Sequence, residues 1–164
     1  MIKKLSKKAS LLSALVLTMA LFAGCSNEKE NQKVADIEVK TIATKELQDK
    51  LSDDSWVVVD TRINDAFNGW KLDEVERGGH IKGAVDFSAN WLTVDSKDKE
   101  KTLDKALETK GIEKDKNIVL YDANGKDAKE VANYLSEKGY KNLYTYNVAD
   151  WAKDESLPME SYEN

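Results

Sequence analysis

The sequence has little cysteine and little histidine: one of each, Cys25 and His80. A single cysteine excludes an intramolecular disulfide and any cysteine-based metal cluster. No apolar run approaches the roughly 20 residues that span a bilayer. The longest, Leu11 to Phe22, is interrupted by Ser13 and Thr18. Acidic side chains are missing before Glu28, whereas Lys3, Lys4, Lys7 and Lys8 crowd the start. Past Gly24 the balance reverses, with 21 basic against 30 acidic side chains and a net charge of −9. So acidic a body has no general attraction for nucleic acid, which is excluded as a partner, or for an anionic membrane face. There is no internal repeat and no sign of a second domain. The sequence calls for no metal and no cofactor.

What the first residues do contain is the pattern of a targeting segment. A basic flank precedes an apolar stretch of signal-peptide length. The stretch ends in Leu21-Phe22-Ala23-Gly24-Cys25. Small residues followed at once by cysteine resemble the bacterial lipobox, whose cysteine is lipidated and becomes the first residue of the mature protein. The expectation is therefore a signal peptide over residues 1–24 and a lipidated Cys25. Residues 25–36, polar and without period, read as a tether. The membrane is then a partner through Cys25. The expected location is the bacterial cell membrane, lipid-anchored, on the extracytoplasmic side. More than one acyl chain is needed for stable anchoring.

Residues 37–164 read as one domain, long enough to bury roughly two thirds of its unfolded surface. Thr41-Ile42-Ala43 suggests an edge strand, and Thr44 an N-cap for a helix through Leu51 with Leu47 facing inward. Trp56 to Val59 is a buried strand ending in Asp60-Thr61-Arg62. Ala66, Phe67 and Trp70 suggest a helical turn, and Lys71 to Arg77 a charged loop. A glycine-rich segment from Gly78 to Ala84 leads into a short strand, Val85-Asp86-Phe87. Leu103, Ala106, Leu107 and Lys110 are spaced as a helix face, with Gly111 closing it. Val148, Trp151, Leu157 and Pro158 read as a closing segment packed on the sheet edge.

Asn117 to Tyr146 carries the strongest signal. Ile118 to Tyr121 is an apolar strand. Ala128, Val131, Ala132 and Leu135 fall at i, i+3, i+4 and i+7. Gly139 ends the helix, and Leu143 to Tyr146 is a second strand. This is a βαβ unit, which makes the strands parallel. The fold class is α/β, with a mainly parallel central sheet flanked by helices. The loop Asp122, Ala123, Asn124, Gly125, Lys126 and Asp127 lies at the carboxyl edge of that sheet, where open α/β folds bind ligands. Its amides and the following helix N-terminus favour an anion. Asn124-Gly125 also spells a hairpin turn, but the helical period after it argues against one.

In this order the elements resemble a rhodanese-type sulfurtransferase domain, over about residues 42 to 162. Four stretches carry the resemblance. Thr44-Lys45-Glu46-Leu47 resembles the family's first helix start. Val57-Val58-Val59-Asp60-Thr61-Arg62 resembles its strand ending in Asp-x-Arg. Gly79-His80-Ile81-Lys82-Gly83-Ala84 resembles its Gly-His-Ile-Pro-Gly-Ala signature, with Lys82 where proline is usual. Trp151 with Pro158 and Glu160 resembles its C-terminal ending.

The resemblance implies a nucleophilic cysteine opening the six-residue loop and taking up sulfane sulfur as a persulfide. This sequence has Asp122 there, and Asp127 where active loops often carry Arg or Thr. A carboxylate is hard and weakly nucleophilic and cannot replace a thiolate. The implied catalytic residues are therefore none. An Asp in this place is similar to the non-catalytic N-terminal domain of tandem thiosulfate/3-mercaptopyruvate sulfurtransferases. Asp122 reads as a strand-ending residue bonded to loop amides, or as an acid/base without a second polar partner. Asp127 reads as an N-cap or first-turn residue. Asp60 and Arg62 are expected to pair and brace the loop. His80 is structural in the family signature, against the alternatives of general base or ligand.

Three functions follow as expectations. One is a lipoprotein with a catalytically silent domain, acting as a binding or structural module. Another is the N-terminal part of a tandem-domain sulfurtransferase, completed by a second domain or partner. The last is a small-anion-binding lipoprotein that uses the loop amides without turnover. A catalytic rhodanese domain, another protein and a small anion all stay open as partners.

Overall fold

The computed structural model describes residues 38–162. The expected signal peptide, Cys25 and the tether lie outside the described residues. The described residues form seven strands and five α-helices. β1 (Lys40–Thr41) leads to α1 (Thr44–Lys50), β2 (Trp56–Asp60) and α2 (Asn64–Asn68). β3 (His80–Ile81) and β4 (Val85–Asp86) follow, then a 3-10 turn at Ala89–Thr93 and α3 (Lys99–Thr109). The chain closes with β5 (Asn117–Asp122), α4 (Asp127–Glu137), β6 (Leu143–Asn147), α5 (Val148–Ala152) and β7 (Met159–Glu160).

Five strands form one sheet in the order β1-β6-β5-β2-β4, and every pairing in it is parallel. β5 lies at its centre, with Ile118 opposite Val57 and Leu143, and Leu120 opposite Val59 and Thr145. Period-2 alternation assigns its side chains to opposite faces. Ile118 and Leu120 join Leu103, Leu107, Val131 and Leu135 in one apolar cluster. Val119 and Tyr121 join Ile42, Leu47, Trp151 and Leu157 in the other. A one-residue slip of β5 would exchange these sets, so burial on both faces fixes its register. Gly139 takes φ +86 just past α4, the left-handed backbone that lets the chain turn into β6.

Three local expectations need correction. Thr44 is the first residue of α1, not its N-cap. That place belongs to Ala43, whose methyl side chain makes no cap bond, and the Thr44 hydroxyl meets the Tyr146 hydroxyl at 2.9 Å. Trp70 lies beyond the helical turn, which ends at Asn68, and is 63% exposed. The closing segment does not lie on the sheet edge. Trp151 and Leu157 pack in the second apolar cluster, and β7 pairs antiparallel with β3 in a separate two-stranded ribbon.

No helix among the described residues is long and apolar enough to cross a membrane.

Candidate functional site

β5 delivers Asp122 to the carboxyl edge of the sheet, opposite Asn147 of β6. Its side chain turns back into its own loop. Oδ1 accepts the Gly125 N–H at 2.8 Å, and Oδ2 accepts the Ala128 N–H at 2.9 Å. Ala128 is the second residue of α4, whose N-cap Lys126 offers no side-chain bond. Asp122 thus satisfies one of the amides that every helix start leaves unpaired. Only 1% of Asp122 is exposed. Of the loop and helix-start amides, those of Gly125 and Ala128 meet the chain's own carboxylate. Gly125 holds φ +73, a conformation open to glycine at no steric cost. Asn124 makes a smaller turn, its Oδ1 accepting the Lys126 N–H at 2.9 Å.

Asp127 opens α4 beside this buried carboxylate. Partial burial and the charge of Asp122 raise its pKa above the ordinary carboxylate value, with Lys126 opposing and Asp73 and Glu130 adding to the rise. Lys126 is exposed.

The second strand end is built differently. Arg62 donates Nε to Asp60 Oδ1 at 2.9 Å and Nη2 to Oδ2 at 2.6 Å, a bidentate pair. The backbone N–H of Arg62 returns to Oδ1 at 3.0 Å. Nη2 also reaches the Gly79 carbonyl at 2.8 Å, tying β2 to the glycine-rich segment. The Tyr121 hydroxyl donates to Asp60 Oδ2 at 2.8 Å and accepts from the Ile81 N–H. Burial works against the Arg62 charge, but Asp60 outweighs it, so its pKa moves up. Burial and the charge of Asp60 hold Tyr121 well above its ordinary range, which keeps it a neutral donor.

His80 stands in β3, with its ring stacked on Phe67 at 3.8 Å between centroids. Nδ1 lies 2.8 Å from the Phe67 carbonyl. A carbonyl only accepts, so Nδ1 carries the proton and Nε2 faces Glu160 at 4.0 Å. Lys82, in the signature's proline place, ion-pairs with Glu160 at 3.6 Å.

The structure therefore places the predicted residues in two groups. Asp122 to Asp127 close on themselves, while Asp60 and Arg62 meet Tyr121 and the segment before His80. No hydrogen bond among the described residues joins the Asp122 carboxylate to Asp60, Arg62 or His80. Among the described residues, no group of three or more His, Cys, Asp or Glu side chains is placed to hold a metal.

Two features escaped the sequence. Arg77, inside what reads as a charged loop, makes no ion pair among the described residues. Its guanidinium donates to the carbonyls of Ala152, Leu157, Trp151 and Asp154 at 2.7–2.9 Å. It clamps the end of α5 to the loop before β3. Beside the Asp122 loop lies a groove of about 620 Å³, lined among others by Thr41, Asn124, Lys129, Asn133 and Asn147. An isolated Arg in a charged run, or polar residues scattered over four elements, gives no periodic signal to read.

A parallel α/β sheet with a tight strand-to-helix loop at its carboxyl edge, braced by a buried Asp-x-Arg pair, defines the class of the rhodanese-like proteins. The chain belongs to the rhodanese-like domain family, which matches residues 43–152. Solved structures agree. It is similar to the anaerobic ergothioneine biosynthesis enzyme from Chlorobium limicola in complex with trimethyl histidine, at 30% identity and a TM-score of 0.68, covering 77% of this chain and 29% of that one. It is also similar to the wild-type structure of EanB, at 30% identity and a TM-score of 0.67, covering 76% and 28%. An EanB variant with ergothioneine covalently linked to a persulfide cysteine matches at the same identity, score and coverage. The chain thus spans well under a third of the length of these proteins.

Proposed function

We propose that this chain is a membrane-anchored extracytoplasmic lipoprotein whose rhodanese-like domain is catalytically silent and serves as a binding or structural module. One observation carries the reading of the domain. The carboxylate of Asp122 stands at the strand end where the resemblance puts the family's nucleophile, and it accepts the Gly125 and Ala128 N–H groups itself. A persulfide needs a soft thiolate held by those amides. Here both the nucleophile and the space for its charge are replaced. The lipobox-like Leu21-Phe22-Ala23-Gly24-Cys25 supports the anchor.

Two experiments test the two halves. For the anchor, the full chain partitions into detergent and Cys25→Ala is unprocessed or released. Normal processing and membrane retention of that variant would remove the lipoprotein. For the domain, Asp122→Cys gives an alkylatable thiol with little turnover, because Asp127 repels both the thiolate and a thiosulfate dianion. At an effective dielectric near 20 that repulsion is on the order of a few kcal/mol before screening. Asp122→Cys combined with Asp127→Arg then turns over faster at low salt, and the gap narrows as salt rises. Equal activity of single and double variants would discard this electrostatic account.

A second reading rests on length. The similar structures are more than three times longer than the matched region, and one of them carries a persulfide cysteine. The chain is then the N-terminal part of a tandem-domain thiosulfate or 3-mercaptopyruvate sulfurtransferase, with its cysteine in a further domain or a partner. A coding sequence continuing past Asn164 into a cysteine-bearing rhodanese repeat would favour it.

A further inference from the structure

The sequence contains two Asn-Gly pairs, Asn68-Gly69 and Asn124-Gly125. This dipeptide is the one most open to ring closure, because glycine places no side chain against the attacking nitrogen. Both asparagines are exposed, and both glycines have positive φ. The pairs differ in what holds the glycine N–H. Gly69 donates to the Ala66 carbonyl at the end of α2, a group that takes no proton. Its Cβ direction is closed by Ser161 at 3.3 Å. Gly125 donates to a carboxylate, Asp122 Oδ1, at 2.8 Å, and its Cβ direction is open.

We propose that Asn124 is a self-modification site, deamidating through a succinimide with Asp122 as the base. The Gly125 nitrogen attacks Asn124 Cγ, and its proton passes to Asp122 Oδ1. Negative charge develops on Asn124 Oδ1, which already accepts the Lys126 N–H at 2.9 Å. That amide is placed as an oxyanion donor. The Cγ–Nδ2 bond then breaks, and Nδ2 leaves as ammonia with the proton returned from Asp122. Water opens the ring at either carbonyl, leaving an aspartyl or isoaspartyl unit at position 124. Each product adds a negative charge beside Asp122 and Asp127. The isoaspartyl product also lengthens the loop backbone by one atom and draws the Gly125 N–H away from the carboxylate that holds it. The side chains that close the loop are thus also the ones that limit its lifetime.

Prolonged incubation of the purified full chain at neutral pH, followed by peptide mass mapping and isoaspartate detection, tests this. Guanidinium-unfolded chain gives the reference rate. Position 124 converts faster in the folded chain than in the unfolded one, by on the order of tenfold. That is below the usual gain from a positioned base, because a carboxylate is a weak base for an amide proton. Position 68 converts more slowly in the folded chain than in the unfolded one. Asn124→Gln abolishes the signal from its peptide. Asp122→Asn, if folded by circular dichroism, brings position 124 down to the unfolded rate or below. If that variant does not fold, the folded-to-unfolded ratio of the natural chain decides alone. Slower conversion of position 124 in the folded chain, or equal behaviour at positions 68 and 124, overturns the proposal.

Discussion

Two aspartates end adjacent parallel strands, and both are buried, Asp60 at 0% and Asp122 at 1% exposure. Their partners are unlike. Asp60 reaches across the molecule, to a guanidinium two residues on and to a phenol on the next strand. Among the described residues, Asp122 reaches only amides of its own loop and helix start. The first is a charge-paired brace that ties β2, β5 and the glycine-rich segment together. The second is a local plug with no cation bonded to it among the described residues. A brace is costly to break, because it leaves a buried charge unpaired. A plug can be withdrawn more cheaply, because part of what it satisfies can return to water. The contrast separates a strand end that ties elements together from one that serves only its own loop.

Four substitutions break or sharpen the contrast, in falling order of effect. Arg62→Ala leaves Asp60 buried without its counter-charge and costs ~3–5 kcal/mol, read from the denaturant midpoint. A loss below ~1 kcal/mol would mean that the pair braces nothing. Asp122→Ala deprives two amides of their acceptor. Gly125 is exposed and regains water, so the cost is set mainly by Ala128 and comes to ~1–2 kcal/mol. Equal losses for these two variants would erase the distinction between brace and plug. Asp122→Asn keeps one acceptor oxygen and falls below Asp122→Ala in the same titration, by ~1 kcal/mol or less.

Asp127→Asn is the smallest and carries a pH signature. The folded pKa of Asp127 is raised, first by burial and then by Asp122. The folded state therefore binds its proton more readily than the unfolded chain does. Its contribution to stability is fully present below the unfolded value of 3.8 and is lost as pH rises through the raised folded value. Asp127→Asn removes that loss, so at pH 7 it matches or slightly exceeds the natural chain. The change stays within the ~0.3–1 kcal/mol of a first-turn charge, which it also forfeits. Thermal melts of both chains should converge in acid below that window. A variant less stable at pH 7 than in acid, relative to the natural chain, would mean the helix-end attraction outweighs the repulsion.

How much of this was legible in the sequence follows from the range of each interaction. β5, α4 and β6 were legible because period 2 and period 3.6 act over neighbouring residues, and Val131 or Leu135 can be read without a partner. The parallel sheet followed from the βαβ order. The Asp60–Arg62 pair spans only two positions. Tyr121 reads as strand core alone, because its hydroxyl finds Asp60 61 residues away in sequence. Thr44 reads as a cap by residue type alone, but Tyr146, 102 residues on, takes its hydroxyl. β3 and β7 have two residues each, too few to show a period. The inward turn of Asp122 needed both its position at a strand end and an amide six residues later. Sequence supplied the first and left the second open among several roles.

The account stands or falls on Asp122 as the replacement for a sulfur nucleophile. Cyanide-dependent thiosulfate sulfurtransferase turnover by the purified full chain tests that directly. The predicted result is no turnover above the uncatalysed background, unchanged in Asp122→Ala. Turnover by the natural chain that disappears in Asp122→Ala would contradict it and make Asp122 a catalyst.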